Sequence, residues 1–124
     1  MKALHTKSAP AAIGPYSQAI EVNGFVFASG QIPIDPATGE FVEGGIKEQT
    51  RQALTNAAHI MAEAGIDLSH VVKTTVFLAD MADFAAMYEV YSTFFKEPFP
   101  ARSAVAVKAL PKGALVEVEC VAVK

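Results

Sequence analysis

The sequence predicts an α+β domain, a mostly antiparallel sheet with two helices on one face. Three observations predict it. Short alternating or β-branched runs bounded by Gly, Pro, Asn and Asp recur along the chain. Two stretches with a helical apolar period interrupt them. The last run, Leu115 to Val123, has period 2, so one of its faces is fit for burial while the other mixes aliphatic side chains with carboxylates. The length of 124 residues suits one core, and a single domain over 1–124 is expected.

Taken in order, Leu4 to Ser8 suits a short first strand, and Ser8 to Pro15 a loop. Tyr16 to Val22 reads as a strand. Asn23-Gly24 then gives a strong hairpin signal, since a tight hairpin needs two residues at positive φ. Phe25 to Ser29 is the partner strand. Gly30 to Pro33 and Asp35 to Gly39 are predicted turns.

Ile46, Ala53, Leu54, Ala57, Ile60, Met61 and Ala64 share one helical face, and Gly65 is placed to end that helix. Val71 to Leu78 is rich in β-branched residues and predicts a buried strand. Asp80 and Asp83 are candidate N-caps. Phe84, Met87, Tyr88, Tyr91 and Phe95 make the apolar face of a second helix, which Pro98 and Pro100 stop. Ser103 to Val107 is expected as a central strand, Lys108 to Gly113 as a turn, and Leu115 to Val123 as the last strand. Its residues Val116, Val118, Cys120 and Ala122 are expected to face the helices. Its opposite face, with Glu117 and Glu119 among aliphatics, predicts a subunit interface containing a polar site.

Hydrophobic residues make up 52% and charged residues 19%, with mean hydropathy +0.30, which excludes intrinsic disorder. Such a charge-poor surface is expected to be partly covered by another copy of the chain. The net charge of −3, with Lys and Arg scattered, argues against a nucleic-acid partner. The single cysteine, Cys120, excludes an intrachain disulfide, and its predicted inward position suits an inert thiol. His5, His59 and His70 lack metal-ligand spacing, and no metal site is expected. Met1 to Lys7 carries no apolar signal core, and no run approaches the ~18–20 apolar residues of a spanning helix, so a cytoplasmic, membrane-free protein is expected.

Two arginines stand among the ten basic residues. Arg51 falls on the polar face of the first helix. Arg102 lies in the apolar stretch Phe99 to Val107, where a permanently charged guanidinium needs an anion. That anion is either Glu117 or Glu119 in a structural ion pair, or a ligand carboxylate gripped by two parallel hydrogen bonds. Glu117 and Glu119 share a strand face. Either one of them is a base that holds water, or both are paired with Lys108, Lys112 or Arg102. Tyr16, after Gly14-Pro15, and Ser29-Gly30 suit a cleft edge. No nucleotide-binding glycine loop and no nucleophile with an adjacent base is present, which leaves water as the attacking group.

The strings Gly14-Pro-Tyr-Ser-Gln-Ala19, Ala28-Ser-Gly-Gln-Ile-Pro33, Asp35-Pro-Ala-Thr-Gly39, Val72-Lys-Thr-Thr-Val-Phe77, Phe99-Pro-Ala-Arg-Ser103 and Leu110-Pro-Lys112 with Glu117 resemble the RidA (YjgF) reactive-intermediate deaminase family from about His5 onward. The resemblance implies a chorismate-mutase-like fold and a homotrimer with a central barrel and clefts between subunits. It also implies hydrolysis of 2-imino acids, formed from enamines such as 2-aminoacrylate, to 2-keto acids and ammonia without metal or organic cofactor. By the same resemblance Arg102 binds the carboxylate and Glu117 activates water. Tyr16 comes from a neighbouring subunit, and Ser29, Gly30 and Pro111 line the cavity. Ala104 stands where cysteine is usual, and Tyr88 where asparagine is usual, which is expected to reshape the pocket. The competing expectation is a non-catalytic module binding keto acids through the same arginine. Ribonuclease action has been attributed to some relatives, and the acidic balance argues against it here.

Overall fold

The computed structural model describes residues 1–124. Strands β1 (Lys2–Leu4), β2 (Ala19–Val22) and β3 (Phe25–Gln31) open the chain, followed by a small hairpin of β4 (Ile34–Asp35) and β5 (Glu40–Phe41). Helix α1 (Ile46–Glu63), β6 (Val71–Leu78), α2 (Phe84–Tyr91), β7 (Ala101–Ala106) and β8 (Val116–Val123) complete it. The main sheet runs β1-β2-β3-β8-β6-β7, and every pairing is antiparallel except β6 with β7. No helix is long and apolar enough to cross a membrane.

The last strand is the middle of the sheet. Its Val116, Val118, Cys120 and Ala122 are all buried, and they pack in one core with Ala53, Leu54, Ala57, Ile60 and Met61 of α1 and Met87 and Tyr91 of α2. The helices therefore cover one sheet face, as the two periodicities predict. The β2–β3 hairpin turns on Asn23 and Gly24 at φ 51° and 79°. Helix α1 ends in a Schellman arrangement. Gly65, at φ 79°, donates to the Ala62 carbonyl at 2.9 Å, and Ile66 to that of Met61 at 3.1 Å.

Several expectations are corrected. The first strand stops at Leu4, and β2 starts at Ala19 rather than Tyr16. The reason is Gln18, whose buried side chain does the work of a strand partner. Its Oε1 accepts from the Thr6 N–H at 2.7 Å, and its Nε2 donates to the carbonyls of Thr6 at 3.0 Å and Pro10 at 2.8 Å. The predicted turn at Gly30 is instead a β-bulge. Ala28 pairs with Cys120 and Gln31 with Val118, so Ser29 and Gly30 take an extra place inside β3.

Helix α2 ends at Tyr91, four residues short of Phe95, where the Ser92 and Thr93 hydroxyls turn back onto the carbonyls of Glu89 at 2.9 Å and Val90 at 2.7 Å. Asp80 caps a short 3-10 turn by accepting from the Ala82 N–H at 2.8 Å, whereas the Asp83 side chain caps nothing. The strand expected at the centre, β7, lies at the edge, paired only with β6. It returns parallel to β6 after α2, and the chain then threads β8 into the gap between β3 and β6.

Opposite the helices the sheet is bare. Phe25, Phe27 and Val105 are exposed there, and Phe77, Val121 and Val123 are half-buried. The Lys73 ammonium donates to Ser103 Oγ at 2.9 Å on this face.

Candidate active site

The register separates the two residues of greatest chemical interest. Arg102 pairs with Thr74 and Ala104 with Val76, both buried on the helix side, so Arg102 and Ala104 face the helices. Glu117 pairs with Phe77 and alternates with the buried Val116 and Val118, so it faces the open side. Two strand spacings, about 10 Å across the sheet, a further ~10 Å along β8 from the level of Cys120 to Glu117, and the sheet itself lie between them. Within one chain they do not meet.

Arg102 rests on aromatic rings. Its Cζ lies 5.2 Å from the ring centre of Phe84, 5.5 Å from that of Tyr88 and 5.4 Å from that of Tyr91. A cation over ring faces at such distances is attracted by ~0.5–1 kcal/mol per ring at exposed sites. The Tyr91 ring is fixed in turn by a buried 2.7 Å hydrogen bond between its hydroxyl and Thr74 Oγ1. Arg102 makes no ion pair. The chain's ion pairs are Lys47–Glu89, His70–Asp67 and Lys124–Glu21. The alternative of a structural bridge to Glu117 or Glu119 is thus excluded within the chain. Beside the guanidinium is a cavity of about 430 Å³, walled by Tyr88, Tyr91, Phe95, Phe99 and Pro100. Ala104 sits two residues further along the same face, partly buried against the core.

Glu117 belongs to a second cavity, of about 390 Å³, with Tyr16, Gly30, Ile32, Pro111 and Lys112 on its walls. The bulge in β3 brings the Gly30 backbone against the carboxyl. A Cβ on Gly30 would lie 2.8 Å from Glu117 Cδ and 3.0 Å from its Oε2, so only glycine leaves the acid in place. Partial burial, and secondarily the charge of Glu119, push the Glu117 carboxyl above its ordinary value. Ser29 Oγ donates to the Ser17 carbonyl at 2.6 Å, and its N–H to that of Gln18 at 2.9 Å, tying the Tyr16 loop to the bulge. Asn56 of α1 holds the other side, donating to the carbonyls of Ile32 at 3.2 Å and Ile34 at 2.9 Å.

The eight residues singled out in the sequence thus fall into two groups. Tyr16, Ser29, Gly30, Pro111 and Glu117 gather at one place, and Tyr88, Arg102 and Ala104 at another. Sequence reasoning missed the role of Phe84 and Tyr91 as the seat of Arg102. Their i, i+4, i+7 spacing with Tyr88 was the available signal, and it reads equally as a core stripe. His59 and Cys120 are withdrawn from chemistry. His59 Nδ1 is 2.7 Å from the Ser8 carbonyl, and burial, with a smaller effect of Glu119, pushes the Cys120 thiol up to about 12.

Two open half-sites, one cationic and aromatic, the other acidic and backbone-lined, thus lie on opposite faces of an α+β sheet. The chain belongs to the RidA (YjgF) family: over residues 6–124 it matches the family described as Endoribonuclease L-PSP. It is 56% identical over 121 residues to a RutC family protein of Pyrococcus abyssi, covering 98% of this chain and 95% of that one. It is 50% identical over 123 residues to the 2-iminobutanoate/2-iminopropanoate deaminase of Mus musculus, covering 99% and 91%. Among solved structures it superimposes on E. coli TdcF with bound serine at a TM-score of 0.95, with 42% identity and coverage of 100% and 99%.

Proposed function

We propose that the chain is a cytoplasmic, cofactor-independent hydrolase of 2-imino acids. It acts as a homotrimer in which Arg102 of one subunit and Glu117 of the next complete a site. The observation that carries this reading is the guanidinium of Arg102, held on three rings with no anion of its own chain. Arg102 is exposed on an edge strand, so its guanidinium donors are free for a ligand carboxylate or a neighbouring subunit. The bare apolar sheet face and the placement of the two half-sites on opposite faces support an assembly that joins them. The mouse relative's printed activity and the serine bound to TdcF support an amino-acid-like substrate.

The chemistry follows from the groups. Arg102 grips the substrate carboxylate with two charge-assisted hydrogen bonds, each worth ~1.5–3 kcal/mol. An enamine such as 2-aminoacrylate tautomerises to its imine, and a proton taken up from solvent on the nitrogen makes C2 electrophilic. Glu117 takes a proton from water as the water oxygen bonds to C2. The proton passes to nitrogen, and as the C2–N bond breaks and ammonia leaves, the C2 hydroxyl gives its proton to the Glu117 carboxylate, which leaves a 2-keto acid. A carboxyl raised above its usual range is a better base for this transfer than an ordinary one. A ribonuclease reading, which the family's description suggests, fits poorly with a chain of net charge −3.

The test is a coupled assay in which a serine or threonine dehydratase supplies enamine and keto-acid release is followed. Wild type accelerates release and Arg102→Ala does not. Keto-acid binding without any acceleration would instead favour the non-catalytic carboxylate-binding module.

A further inference from the structure

The cavity beside Arg102 is more apolar than a methyl-bearing substrate requires. Its walls are the rings of Tyr88, Tyr91, Phe95 and Phe99 with Pro100 and the small polar Ser92, and Arg102 is the one charged group on it. In the single chain Tyr88 is 49% and Phe99 60% exposed, so aromatic surface is available beside the cation to a substrate at the subunit junction. A planar iminium carbon carries three groups: the carboxylate, the nitrogen and the side chain. With the carboxylate on Arg102 and the nitrogen turned toward the water and acid, the side chain is left facing the aromatic wall. A methyl group touches little of this wall, while a benzyl group covers the exposed rings and stacks on them.

Resting on the deaminase reading, we propose that this cavity is the side-chain subsite, and that Tyr88 makes the protein prefer 2-imino acids with aromatic side chains over 2-iminopropanoate. A single methylene in an apolar pocket already changes specificity by roughly 10–200-fold, so a benzyl-for-methyl exchange is readily measured.

Imines are generated in situ from L-phenylalanine and L-alanine by an amino-acid oxidase, and their hydrolysis is read as loss of trapping by semicarbazide. Wild type is expected to show kcat/KM at least tenfold higher for the phenylalanine-derived imine. Tyr88→Ala is expected to bring that ratio near unity, with the helix fold checked by circular dichroism. Calorimetry with phenylpyruvate and pyruvate reads the same subsite without turnover, and a tenfold preference lost in Tyr88→Ala is expected. A ratio near unity in wild type, or one that survives Tyr88→Ala, overturns the inference. Failure to hydrolyse any imine, with the phenylpyruvate preference intact, sinks the deaminase reading and upholds the subsite.

Discussion

The two half-sites are built by different physics. Around Glu117 the fold works through backbone. A bulge in β3 lays Gly30 against the carboxyl, and buried amides, Gln18 and Asn56, hold the flanking loops by their carbonyls. Around Arg102 it works through rings, with α2 presenting Phe84, Tyr88 and Tyr91 beneath a cation on an edge strand. The acid is set by close approach, where small displacements matter. The cation is set by a broad attractive surface that tolerates movement and leaves all its hydrogen-bond donors available. What the contrast teaches is that the two halves should fail differently when altered.

The largest difference lies in Arg102. Losing two charge-assisted bonds predicts a fall in kcat/KM of ~10²–10⁴-fold for Arg102→Ala in the dehydratase-coupled assay. The thermal midpoint should fall only by what the ring contacts supply, since no ion-pair partner in the chain is orphaned. Arg102→Lys recovers only part of the activity, because an ammonium does not form the paired bonds.

Glu117→Gln breaks the comparison from the other side. Removing a general base predicts a loss of ~10²–10⁴-fold in kcat. Stability should move the opposite way. The Glu117 carboxyl is raised in the folded chain, so it favours folding while protonated, and that contribution is lost as pH rises through its folded value. Thermal scans should therefore place Glu117→Gln above wild type at neutral pH, with the difference vanishing at pH values below the ordinary carboxylate range. Wild-type kcat should fall as acidification protonates the same group.

Gly30→Ala sharpens the comparison. Its Cβ would enter the space of the Glu117 carboxyl at 2.8 Å, and a displaced base predicts about a 10²-fold loss of kcat with a smaller change in KM. Tyr91→Phe is the mildest change. It removes the buried bond to Thr74, lowering stability by about 1 kcal/mol in denaturant unfolding, while the ring under Arg102 is retained and most activity with it.

The sequence disclosed the sheet-and-helix architecture because its signals there are local. Asn23-Gly24 and the strand Val71–Leu78 are placed as the residues predict, and α1 closes at Gly65. Strand order is not local. That β7 is an edge and β8 the centre follows from a crossover whose consequence appears only when the chain is assembled. The bulge at Ser29 and Gly30 was hidden because a glycine within a strand run reads as its end. Arg102 and Glu117 were recognisable as candidates from residue type and family likeness. Their placement on opposite faces was not, because it depends on the register of β7 against β6 and of β6 against β8.

The central claim is that the cation and the acid act together from different subunits, and complementation tests it most directly. Arg102→Ala and Glu117→Gln chains, each inactive alone, are unfolded together and refolded as a mixture, with subunit exchange verified by mass spectrometry. Random mixed trimers pair an intact arginine with an intact glutamate at about one site in four, so recovery of about a quarter of wild-type deaminase activity is predicted. Verified mixed trimers as inactive as either parent would contradict the account.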